Sequence, residues 1–310
     1  MLHSHLLWQQ AQRATWDCER ALGQEGETLP ELPTEFEVRA MTRPELDIAL
    51  EWAALEGWNP GLSDADAFYA TDPGGFLVGL YNGQPVACIS AVIYDDLFGF
   101  IGFYLVLPEY RRQGYGRQLW DAAVQRLGER NIGLDAVVAQ QENYRQSGFT
   151  PAYRSVRFSG AGIALEHAGL APLEAVPFDV LEAYDRRMFP ASRKEFLGAW
   201  LTMPGTSGCV AVENGAVHGY GLIRPCRVGY KIGPLYANDA ATARRILGRL
   251  SAAVSGETLS LDVPEINPAA VALAQSVGMT PVFETVRMYT RYAPEVDLQR
   301  IFGVTTFELG

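Results

Sequence analysis

Residues 111–116, Arg-Arg-Gln-Gly-Tyr-Gly, follow directly on the apolar stretch 98–107 and lead into a helix-forming run from Arg117. A strand ending at Pro108, a glycine-bearing turn and a helix start together leave several amide N–H groups without intrahelical partners at one point. Such donors suit a pyrophosphate. Gly114 and Gly116 let the backbone approach the phosphates, while Arg111 or Arg112 adds a charge-assisted contact. Gln113 and Tyr115 belong to the same candidate binding loop. A P-loop is excluded because no lysine follows these glycines. A dinucleotide fingerprint is excluded because Leu119 stands where its third glycine belongs.

The elements that must position this loop are legible on either side. Residues 36–39 alternate as a short strand, and residues 44–56 read as a helix with Thr42 as N-cap and Glu45 in its first turn. Gly57 ends that helix. Residues 76–81 and 85–94 flank Asn82-Gly83, a strong hairpin signal, and Asp95-Asp96 turns the chain into the strand 98–107. After the loop, Leu119, Trp120, Ala123, Val124 and Leu127 have the spacing of a helix lying on a sheet. Strands at 134–138 and 153–158 follow, with Asn143 to Phe149 between them.

The second half repeats the plan. Helices are predicted at 181–189 and 193–201, and strands at 209–213 and 217–222 flank a second Asn-Gly turn, Asn214-Gly215. The next strand is 229–235, its helix 240–250, and the series closes with 259–263, the segment 267–278 and 282–292. Here the loop after the strand, residues 233–239, has neither the arginine nor the spaced glycines. Residues 1–34 form an N-terminal extension with no assigned chemistry. The expected division is then 35–160, a linker at 161–172, and 173–310.

The pattern R-x-x-G-x-G after a hydrophobic strand, with this order of elements, resembles the Gcn5-related N-acetyltransferase (GNAT) superfamily over residues 36–159. The second half resembles a degenerate GNAT copy. Residues 56–61, 230–235 and 306–310 resemble bacterial tandem GNAT proteins of the YitH type. The resemblance implies an α/β (α+β) fold of two GNAT-type domains, each a mixed, mostly antiparallel sheet flanked by helices. It implies acetyl-CoA as cosubstrate and an N-acetyltransferase activity.

In that family the strand before the loop parts from its neighbour, and its backbone faces the pantetheine and the thioester oxygen. Leu105 and Val106 are the matching positions, their N–H groups polarising the carbonyl. Asn143 and Tyr144 match the family's stretch ending in Gly-Phe, where a tyrosine protonates the leaving sulfur. A phenol with a pKa of about 10 holds its proton at neutral pH. Ala274 occupies the corresponding place in the second half, so one active site per chain is expected.

The acceptor must lose a proton before attack, to a carboxylate or through water to solvent. Glu56 is the candidate base, with Trp58, Asp95 and Asp96 as candidate substrate-binding residues. The acidic balance, a net charge of −11, argues against nucleic acid and favours a cationic small-molecule amine. The cysteines and histidines have no metal-ligand spacing, so no metal is expected. No apolar run reaches the roughly twenty residues of a membrane span, and no signal peptide is legible, which points to the cytoplasm and no membrane partner. A monomer or homodimer is expected. Two alternatives fit the same loop: a non-catalytic acyl-CoA-binding sensor and a protein lysine acetyltransferase.

Overall fold

The structure, a computed structural model, describes residues 36–310; the predicted N-terminal extension and Cys18 lie outside the described residues. The first strand, β1 (Phe36–Ala40), is followed by helix α1 (Arg43–Leu55), which starts as its sequence demands. Thr42 and Glu45 form a reciprocal capping box. The Arg39 fork, together with the Thr42 amide and hydroxyl, holds the Glu45 carboxyl down at about 2. Helix α2 (Asp64–Thr71) is an element that the sequence reading passes over. Strands β2 (Phe76–Tyr81) and β3 (Gln84–Ile93) are joined by Asn82-Gly83, both at positive φ, as such a hairpin turn needs. Then come β4 (Phe98–Val106), α3 (Tyr115–Leu127), β5 (Asn131–Val137), α4 (Gln141–Gln146) and β6 (Thr150–Ala161).

The second half runs α5 (Phe178–Asp185), α6 (Lys194–Leu201), β7 (Ser207–Glu213), β8 (Ala216–Pro225), β9 (Tyr230–Ala237), α7 (Ala240–Ala252), β10 (Thr258–Pro264), α8 (Pro268–Ser276) and β11 (Thr280–Tyr289). A short strand, β12 (Ile301–Gly303), ends the series among the described residues.

The twelve strands of the described residues form one mixed sheet, ordered β1-β2-β3-β4-β5-β11-β6-β10-β9-β8-β7, with β12 on β9. The order contains an exchange. The last long strand of the first half, β6, pairs with β10 of the second, while β11 of the second half pairs with β5 of the first. The two exchanged strands also pair with each other, antiparallel, at the centre. Alternation along β2 shows both faces covered. Phe76, Val78 and Leu80 enter a core shared by α1, α2, α5 and α6, whereas Leu77 turns to the core under α3. Phe68 of α2 stacks on Trp200 of α6 with centroids 5.8 Å apart, so the shared core also joins the halves.

Because each half completes its sheet with a strand of the other, neither has a closed core of its own. Thermal unfolding is therefore expected as one cooperative transition. Two separated calorimetric transitions, one for each half, would contradict the exchange.

Candidate active site

The site begins where β4 and β5 part. Their parallel pairing runs from Phe98 opposite Asn131 to Ile101 opposite Leu134 and then stops. Beyond it, β4 carries a bulge against β3 at Gly102 to Tyr104, with Phe103 in the left-handed region at φ 48°. β5 continues along β11 instead. A cleft opens between the diverging strands. Its lining includes Tyr104, Val137, Gln140 and Tyr144, with Trp58 and Arg157, and, from the second half, Phe283, Thr285, Phe307 and Glu308.

The predicted phosphate loop lies at the edge of this cleft. Gly114, in the left-handed region at φ 82°, is the N-cap of α3 and carries no capping side chain. The first intrahelical bond of α3 is from the Gln118 N–H to the Gly114 carbonyl, so the N–H groups of Tyr115 and Gly116 precede the ladder. A Cβ on Gly116 would stand 2.8 Å from the Tyr104 hydroxyl, so the missing side chain is what lets the helix start sit against β4. Tyr115 turns its ring inward and stacks on Phe36 at 4.4 Å; only its backbone is available to a phosphate. Arg112 and Gln113 are exposed on the loop, and Gln113 donates to the Glu109 carbonyl at 2.9 Å.

Several expectations need correction. Arg111 is not aimed at a phosphate: its Nε donates to the Val106 carbonyl at 2.8 Å and its Nη2 to Glu56 at 2.9 Å, so it clamps the loop to β4 and α1. Glu56 is thereby committed to the loop and does not line the cleft. Asp95 accepts the N–H groups of Leu97 and Phe98, each at 2.8 Å, as a turn cap. Asp96 is fully exposed near Arg130. Both aspartates sit at the end of β4 opposite the bulge, and neither lines the cleft. Leu105 pairs with Cys88, and the Leu107 N–H donates to the Val86 carbonyl, so alternation turns the Leu105 amide toward β3 and that of Val106 toward the open side. Asn143 donates to Gln140 at 2.7 Å and fixes the start of α4 without lining the cleft.

Trp58 and Tyr144 do line the cleft. Gly57 at φ 79° reverses the chain after α1 and brings Trp58 round, and the Trp58 carbonyl accepts from Arg157 Nη1 at 2.8 Å. Tyr144 packs against Trp120 and Phe149, with centroids 5.6 and 6.2 Å away. Among the described residues nothing hydrogen-bonds to its hydroxyl, and burial pushes its pKa up.

The second half builds the same parts and fills them. β9 and β10 pair in parallel only from Tyr230 to Ile232, and in the gap beyond lies β12, bonded to β9, with the following Val304 N–H donating to the Asp262 carbonyl of β10 at 2.8 Å. The start of α7 is also taken. Asp239 caps it, accepting the Thr242 N–H at 2.8 Å, and its carboxylate would repel a phosphate.

Sequence reasoning did not find the residues that the second half lends to the first cleft: Phe283, Thr285, Phe307 and Glu308. The signal for β11 was its inward charge, Arg287 between Val286 and Met288. Arg287 forms a buried fork with Asp135 of β5 at 2.7 and 2.9 Å. A matching fork joins Arg157 of β6 to Asp262 of β10, with the guanidinium over the rings of both Phe283 and Phe307.

One sheet half with parted strands beneath an uncapped helix start, joined to a second half of the same plan, defines a tandem GNAT acyltransferase, and the chain belongs to the GNAT family. The family descriptions "Acetyltransferase (GNAT) family" and "Acetyltransferase (GNAT) domain" match residues 43–149 and 181–303. The chain is similar to the holothin acyltransferase of Pseudoalteromonas sp. (strain SANK 73390), 32% identical over 269 residues, covering 86% of this chain and 92% of that protein. It is also similar to YitH of Bacillus subtilis (strain 168), described as an uncharacterized N-acetyltransferase, 28% identical over 191 residues, 59% of this chain and 66% of YitH. Two solved structures share the fold. One, from Pyrococcus horikoshii, has a TM-score of 0.75 at 20% identity over 94% of this chain and 100% of its own. The other, the tandem GNAT protein from the clavulanic acid biosynthesis pathway, has a TM-score of 0.57 at 16% identity, over 82% of this chain and 98% of its own.

Proposed function

We propose that the chain transfers an acetyl group from acetyl-CoA to the primary amine of a small molecule, by direct attack in a ternary complex in the β4/β5 cleft. The observation that carries this reading is the contrast between two equivalent places: an open cleft under the bare N-cap of Gly114, and a gap filled by β12 beside the Asp239 cap. The N–H groups of Tyr115 and Gly116 would receive the pyrophosphate, with Arg111 holding the loop in place. The open-side amide of Val106 is placed to polarise a thioester carbonyl. Tyr144, whose proton is retained by burial, supplies a donor beside the sulfur that leaves.

In this reading the acceptor lies against Trp58, Phe283 and Phe307, which line the cleft, two of them from the second half. Those walls favour a small, flat acceptor over a protein tail, nucleic acid or membrane. A relative named for holothin acylation supports a small-molecule acceptor. In this reading the enzyme works in the cytoplasm and requires no metal. The test is a screen of amines with acetyl-CoA that follows release of free thiol. Amine-dependent release with acetylated product supports the proposal; thiol release that no amine accelerates would sink it.

A further inference from the structure

Segment 304–310 carries a role that neither half supplies alone. It leaves β12, crosses beneath the bulge of β4 and is buried throughout. A Cβ on Gly102 would collide with the Glu308 carbonyl, so this glycine is the gap through which the segment passes. Tyr94 donates to the Leu309 carbonyl at 2.8 Å and Arg193 to that of Gly310 at 3.4 Å. These contacts fix Glu308 in the wall of the cleft, only 4% exposed.

The surrounding charges leave this carboxylate distinct. The buried arginines nearest to it are each paired with an aspartate: Arg157 with Asp262, which Lys231 also approaches at 4.0 Å, Arg287 with Asp135, and Arg224 with Asp64. Among the described residues no cation comes within ion-pair distance of Glu308, and its side chain accepts from the Thr306 hydroxyl alone. Its neighbours in charge are Asp135 on β5, Arg157 on β6, Arg224 on β8 and Lys231 on β9. Burial, then the nearby Arg157, lowers the pKa of Lys231 and weakens its claim as a counter-ion. Thr285 also lines the cleft, and its hydroxyl is buried and without a partner. A carboxylate in no direct ion pair and a hydroxyl without a partner, on two residues that line one aromatic-walled cleft, suit an ammonium.

We propose that Glu308 is a catalytic residue that binds the acceptor's ammonium group and takes its proton. This deepens the acetyltransferase reading and rests on it. One proton passes from nitrogen to Glu308 and on to solvent. The freed lone pair forms the C–N bond as the C–S bond breaks. The second nitrogen proton balances the one that the sulfur receives by way of Tyr144.

With a base in the site, turnover of the parent enzyme on an alkylamine is expected to stay within about twofold between pH 7 and 9. Without one it would climb roughly tenfold per pH unit toward the amine's pKa. Glu308→Gln is expected to lower kcat/KM for the amine by about a hundredfold or more at pH 7, and to convert the plateau into that climb. Acetyl-CoA affinity, read by calorimetry, should stay within about threefold. Glu308→Asp keeps the charge and should restore the plateau at reduced kcat. A parent rate that already climbs tenfold per unit overturns the inference, whether or not either variant folds. So does an equal loss in Glu308→Gln at every pH. If the parent transfers no acetyl group to any amine, the wider reading fails; if it does and Glu308→Gln behaves as the parent, only this inference fails.

Discussion

Gly114→Val is expected to abolish measurable acetyl-CoA binding while leaving the fold intact. Gly114 stands at φ 82°, a conformation that a β-branched residue adopts only at a cost of about 1–2 kcal/mol. To relieve it, the loop must rebuild and carry the first turn of α3 away from β4. Two charge-assisted hydrogen bonds, from Tyr115 and Gly116, are then lost at about 1.5–3 kcal/mol each, which is roughly a hundredfold to ten-thousandfold in affinity. The cost to stability is small because the loop is exposed and the helix keeps its buried Leu119, Ala123 and Leu127. Calorimetry with acetyl-CoA, alongside a melting curve, separates the two effects. Binding within threefold of the parent would show that the phosphates lie elsewhere.

Tyr144→Phe is expected to leave acetyl-CoA affinity nearly intact and to slow turnover by about tenfold to a thousandfold. The ring contacts with Trp120 and Phe149 survive the change, because they need no hydroxyl. Only the proton donor is removed, so kcat and kcat/KM should fall together. Parental turnover in this variant would make Tyr144 a packing residue and assign the proton to water or another group.

How far the sequence speaks depends on whether a feature is local. The two Asn-Gly turns, the Thr42 and Glu45 cap and the glycine loop before α3 are properties of a few adjacent residues, and the structure places them as their chemistry demands. The strand exchange is not local. Alternation marks β6 and β11 as strands but carries no word on which strand lies beside them. Glu56 illustrates the same limit at a single residue: a carboxylate at a helix end looks available until Arg111 is folded against it. Asp95 and Asp96 were adjacent to the right strand but at its wrong end. Glu308 and Phe307 lie in a segment too short for any period to show, and only its close passage at Gly102 brings them to the cleft. Helix α2 is hard to read from the sequence because it is eight residues long and its one buried carboxylate, Asp64, is answered by a partner 160 residues away, Arg224.

One half of the sheet keeps its cleft open, while the other closes its own with β12 and Asp239. Calorimetric titration of the parent protein with acetyl-CoA is expected to show a single class of site at about one acetyl-CoA per chain, lost in Gly114→Val and kept when Asp239 is replaced by asparagine. Two sites per chain, or one site that survives Gly114→Val and disappears with the Asp239 variant, would contradict it.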